Sequence, residues 1–137
     1  MKEKGFLAIR TLVLVFVSLS VSGASHAGAE QPAMKRTILQ TQDLSSPGRE
    51  AVMASAEIPP NGIAARHAHS GEEFGYVLEG TLVLEKDGQG PVTLTQGDSY
   101  FIETGSVHGA RNIGGTTVKL LGIFIVEKGK PLSSPAP

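Results

Sequence analysis

The chain has no cysteine and no tryptophan, only 5% aromatic residues and only 18% charged ones. Without cysteine there is no disulfide, no thiolate metal site, no cysteine nucleophile and no lipid anchor on a thiol. Stability must then come from the apolar core, helped by a metal where one binds. Twelve Lys and Arg face 13 Asp and Glu with no basic run, so there is no electrostatic footprint for nucleic acid. No apolar run approaches the ~20 residues of a membrane span. The longest continuous candidate, residues 12–21, is blocked upstream by Arg10.

That run has the layout of an export signal. Lys2, Lys4 and Arg10 precede it, and small residues follow it. Ser25-His26-Ala27 puts small side chains at the −3 and −1 positions of a cleavage site; Ala27-Gly28-Ala29 offers another two residues on. Residues 1–27 are therefore expected to be a cleaved signal peptide. The mature protein is expected to be periplasmic or secreted, with no stable membrane anchor. Removing Lys2, Lys4, Arg10 and Glu3 leaves 9 basic and 12 acidic groups, a net charge of −3, and histidines only at 67, 69 and 108.

What remains is rich in glycine (17 in the whole chain) and 40% apolar, which suits one turn-rich β domain. Residues 28–36 read as a polar tail and 129–137 as a Pro/Ser-rich one, neither able to bury much. Between them, over 37–128, apolar residues come in short runs at β spacing. Strands are predicted at 37–41, 51–58, 64–69, 73–78, 81–86, 92–94, 99–102, 107–112 and 117–127. Glu79-Gly80 and Asp87-Gly88 suit tight hairpin turns. No sustained 3.6-residue period appears, so the expected class is all-β, an antiparallel sandwich or barrel.

The chemistry concentrates at three places. On a strand, His67 and His69 point to the same face at a spacing that suits one ion. Ser70-Gly71 can turn the chain and bring Glu73 to the same point; His108 follows a further turn at Gly105. Three imidazoles and one carboxylate suit a divalent Mn, Fe, Co, Ni, Cu or Zn ion, and leave octahedral ions two open positions. Taken singly, each residue has a plain alternative: a solvent-facing pair, a surface carboxylate, a hydrogen-bonded core histidine.

The combined pattern resembles the cupin superfamily. Its first motif reads here Gly62-x4-His67-x-His69-x3-Glu73-x6-Gly80, one residue short between the first glycine and histidine. Its second reads Gly97-x5-Glu103-x-Gly105-x2-His108-x3-Asn112. The resemblance implies a single jelly-roll-like antiparallel β-barrel with a metal held by His67, His69, Glu73 and His108. Glu103 stands where the family usually has proline, which would fix φ and remove an amide donor.

Around the site, Arg66 and Arg111 alternate with ligands and should face away unless a bulge re-aims one toward an anionic substrate. Glu72 and Tyr76 should also face outward; parity does not decide between Tyr100 and Phe101. Glu103 and Tyr100 are the available acid–base candidates. The segment 117–126 is apolar on both faces, which suggests a homodimer. Three functions follow. The first is a metal-dependent enzyme on a small organic substrate, of dioxygenase, isomerase, decarboxylase or lyase type. The second is a metal- or small-ligand-binding protein of the cell envelope, and the third a barrel that its metal merely stabilises.

Overall fold

The computed structural model describes residues 30–137. The expected signal peptide, residues 1–27, lies outside the described residues. Ten strands follow one another: β1 (Lys35–Asp43), β2 (Arg49–Ile58), β3 (Ile63–Ala68), β4 (Gly71–Glu79), β5 (Thr81–Lys86), β6 (Val92–Thr95), β7 (Ser99–Ile102), β8 (His108–Asn112), β9 (Val118–Glu127) and β10 (Ser134–Pro135). They form two five-stranded sheets, in the orders β1-β2-β9-β4-β7 and β10-β3-β8-β5-β6, with every strand pairing antiparallel. The fold is the all-β barrel that the spacing of apolar residues predicts. At the β5–β6 turn, Gly88 has φ +75°, the conformation that an Asp-Gly hairpin requires.

Strand alternation builds the core. Along β9 the inward residues Val118, Leu120, Phe124 and Val126 are buried, while Lys119 and Ile123 are exposed. Ile58, Val77, Leu82, Ile102 and Val118 are 0–1% exposed and join the two sheets in one cluster. Each such side chain contributes about 1.5–3 kcal/mol relative to exposure. A second cluster of Val52, Ala54, Phe124 and Val126 is closed by Leu132.

Both terminal segments differ from the expected tails. Met34 donates its amide to the Ile63 carbonyl at 2.9 Å and packs on the core, and β1 starts at Lys35 rather than 37. At the other end, β10 pairs with β3 (Ser134↔Ala68, Pro135↔His67). The cause is the same at both ends. Without these segments the outer edge of β3 would be open, and alternation lets single residues (Met34, Arg36, Leu132) turn inward from otherwise polar sequence.

Candidate metal centre

His67 and His108 lie directly opposite one another in the β3–β8 pairing. A bulge makes this possible. Ala64 pairs with Ala110 and His67 with His108, so Ala65 and Arg66 together face the single residue Gly109. The extra residue turns both Ala64 and His67 inward and leaves Arg66 outside. His69 follows the last residue of β3, and Glu73 reaches the same space from β4 in the other sheet. His69, Glu73 and His108 are 3%, 6% and 4% exposed. The His67 ring lies 4.8 Å from that of His69 and 4.3 Å from that of His108.

Each imidazole is oriented by a backbone carbonyl. The Nδ1 of His67 donates to Ala65 O at 2.7 Å, that of His69 to Leu132 O at 2.6 Å, and that of His108 to Ser106 O at 3.0 Å. A carbonyl only accepts, so all three Nδ1 atoms carry the proton and all three Nε2 atoms present a lone pair. The three ligand atoms lie within 4.8 Å of one another. Into the same space Glu73 brings Oε2, 3.1 Å from His69 Nε2 and 3.4 Å from His108 Nε2. The Nε2 of His69 is buried without a hydrogen-bond partner. Converging lone pairs and a carboxylate repel one another unless a cation or added protons lie between them. The donor set therefore fits a divalent transition metal.

The charges reflect this crowding. Burial, opposed by the bond to Ala65 and reinforced by the charges of His108, His69 and Arg36, pushes the His67 pKa down to about 4. Burial alone would raise that of Glu73, but where added protons on His108 and His69 take the place of an ion, their hydrogen bonds and charges outweigh it and hold the carboxyl at about 2. The other oxygen of Glu73 accepts from the Tyr100 hydroxyl at 3.0 Å. Burial and the Glu73 charge raise the Tyr100 phenol well above its ordinary value, so it keeps its proton.

Beside the imidazoles lies a narrow chamber of ≈ 30 Å³ that opens toward solvent. Its floor is one cross-strand row: Ala54 pairs with Gly122, Gly122 with Gly75, and Gly75 with Tyr100. Three small residues side by side remove a layer of side chains, and the Tyr100 ring folds over the gap. A Cβ on Gly75 would stand 1.9 Å from Tyr100 Cζ. His67, His108, Glu73 and Tyr100 face the chamber, as does Arg36 from β1.

Residues 54–126 match the cupin domain model. The chain belongs to the cupin family.

Other similarities agree on the fold. The cupin is 32% identical over 76 residues to the oxalate-binding protein of Thermotoga maritima, a match covering 55% of this chain and 62% of that relative. A conserved double-stranded β-helix protein of Klebsiella pneumoniae superposes with a TM-score of 0.62 at 18% identity, over 77% of this chain and 87% of that one. A cupin domain of Bordetella pertussis gives 0.57 at 29%, over 72% and 98%. The DMSP lyase DddQ of Ruegeria pomeroyi gives 0.62 at 18%, over 75% and 51%, a likeness of fold alone.

The structure brings together His67, His69, Glu73, His108 and Tyr100, and leaves Glu103 outside. The Glu103 carboxylate is exposed and accepts from Lys86 Nζ at 2.9 Å, which holds it away from the chamber. Arg66 pairs with Asp87 and Arg111 with Glu85, both on the outer surface. Glu72 turns outward to Arg49; Tyr76 and Phe101 are exposed, which settles the parity of Tyr100. Asn112 is buried and structural, donating to Ile58 O and Thr116 O. Sequence reasoning missed three participants: Arg36, Gly75 and the Leu132 carbonyl. Only Gly75 left a trace, as a glycine inside an apolar strand.

Proposed function

We propose that this cupin is an exported, metal-dependent enzyme acting on a small organic molecule, with one divalent transition metal (Mn, Fe, Co, Ni, Cu or Zn) held by His67, His69, Glu73 and His108. The observation that carries it is the shared orientation of three imidazoles, each fixed through Nδ1 so that Nε2 points to one place beside an apolar chamber. A metal bound there supplies Lewis-acid or dioxygen chemistry. The remaining work falls to the chain. His67, His108 and Glu73 line the chamber whereas His69 sits behind them, so a substrate approaches from the side of the first three. Tyr100 steadies Glu73 and holds its own proton on Glu73 Oε1. Apolar walls exclude water and strengthen each polar contact.

The test begins with metal analysis of protein from its native compartment and continues with azide-dependent metal spectra of Fe- or Mn-loaded protein. A screen of small hydroxylated and carbonyl compounds, with and without oxygen, then looks for turnover that Glu73→Ala loses. Metal spectra indifferent to every small ligand would defeat the catalytic reading. A second reading, metal-assisted ligand binding without turnover, draws on the oxalate-binding relative. Saturable binding with no turnover selects it.

Export is tested by the N-terminus of the secreted product, expected after Ala27 or Ala29. The outer face of the β1-β2-β9-β4-β7 sheet exposes Phe74, Tyr76, Phe101 and Ile123, which supports a homodimer. Light scattering at the monomer mass would refute that.

A further inference from the structure

Among the described residues, three of the four arginines have carboxylate partners: Arg49 with Glu72, Arg66 with Asp87, and Arg111 with Glu85. Arg36 has none within salt-bridge distance. Its Nη1 donates to the Ser133 hydroxyl at 3.2 Å, and its Cζ lies 5.5 Å from the centroid of the Phe124 ring, which itself stacks edge-on to His69. Its charge is felt at both His67 and Tyr100. Arg36, Met34, Ala64 and His67 line both the inner chamber and a wider outer basin formed with Glu30, Gln31, Ala33, Ser133 and Pro135. The guanidinium thus stands at the gate between solvent and the imidazole cluster. Behind the gate the walls are aliphatic: Ala54, Ala56, Leu82, Leu84 and Leu120.

We propose that the chamber takes a small organic monoanion, a carboxylate on a short apolar body, with Arg36 binding the carboxylate at the gate and the aliphatic walls taking the body. This rests on the metal-site reading above and names the substrate class for it. A guanidinium without a carboxylate partner beside a cationic site favours an anion and can hold two of its oxygens at once. One anionic group suffices for that gate. A second, pushed among Leu82, Leu84 and Leu120 rather than toward the imidazoles, would be desolvated with no partner there.

The test is calorimetric titration of zinc-loaded protein, where no turnover is needed, with butyrate, butyramide and oxalate as probes. Butyrate is expected to bind at least about tenfold more tightly than its neutral amide, the loss expected when a charged hydrogen bond is removed. Arg36→Met should weaken butyrate by a similar factor, leave butyramide unchanged and leave zinc content at the wild-type level. Arg36→Lys should recover part of the butyrate affinity, and its melt guards against misfolding of the Met variant. Equal affinity for butyrate and butyramide, or butyrate binding indifferent to Arg36→Met, would overturn the proposal. So would oxalate binding far more tightly than butyrate. Failure to load zinc would instead refute the metal reading; the same titrations on metal-free protein would still decide the role of Arg36.

Discussion

Replacing Gly75 by alanine perturbs the chamber floor by a single methyl group. Gly75 is extended rather than left-handed, so backbone strain does not enter and only space matters. The new Cβ would stand 1.9, 2.2 and 2.4 Å from Tyr100 Cζ, Cε1 and Cε2. Ordinary carbon contact needs ~3.5–4.0 Å, so the ring must move by roughly 1.5–2 Å. It cannot do so and keep its 3.0 Å bond to Glu73. Overpacking costs about 1–3 kcal/mol and a lost bond to a buried carboxylate about 1.5–3, partly the same event. Restriction of the unfolded chain by alanine returns roughly 0.4–1 kcal/mol. The net expectation is a destabilisation of ~2–4 kcal/mol in urea unfolding of the metal-free protein. Tyr100→Ala removes the obstacle. In that background Gly75→Ala should cost under ~0.5 kcal/mol, giving a coupling of about 2 kcal/mol or more. Additive effects, or a stable single variant, would show that the ring does not lie over Gly75.

Metal content should fall sharply from about one per chain in His108→Ala and in the His67→Ala/His69→Ala double variant, and stay unchanged in Arg111→Ala, whose partner is Glu85 on the surface; elemental analysis showing equal content in all four proteins would refute the assignment. Metal-free protein should weaken on acidification. With His67 at about 4 when folded and 6.5 when free, the unfolded chain binds more protons between those values, so this stability is complete above pH 6.5 and lost as pH falls toward 4. Discounted for partial exposure it is ~1–2 kcal/mol; Glu73 adds a further loss from pH 4.5 down to 2. Urea midpoints that do not change between pH 7 and 5 would contradict this. Deleting residues 131–137 removes the carbonyl that orients His69 and should weaken metal binding roughly 10–100-fold. Unchanged affinity in competition with a chelator would make Leu132 dispensable.

The strands and the histidines were readable because each depends on local spacing. All nine predicted strands exist, most within two residues of their expected ends, since alternation and Gly turns are properties of short segments. The cluster of His67, His69 and His108 followed from two motifs of fixed spacing. The bulge at Ala65–Arg66 was not readable, because a strand read alone gives no sign of an extra residue opposite its partner. The chamber floor depends on the register of four strands, β2, β9, β4 and β7, and no segment alone places Ala54, Gly122, Gly75 and Tyr100 in one row. Arg36 and Leu132 lie in segments whose composition reads as tail, and their roles arise only from contacts 97 and 63 residues away in sequence.

The clamp on His69 has a consequence for the order of events in the cell. The carbonyl that sets this imidazole belongs to Leu132, and the hydroxyl that meets Arg36 belongs to Ser133. The centre is therefore assembled from both extremities of the domain, and its grip on an ion is complete only when the last-made strand has docked. If the proposed signal peptide threads the chain through a membrane unfolded, it would arrive on the far side without a metal ion. The ion it then takes is chosen by the metals present where it folds, more than by the modest selectivity of nitrogen and oxygen ligands. Protein made with and without residues 1–27 in one host should accordingly carry different metals. Identical metal in both would mean that the ligands, and not the place of folding, make the choice.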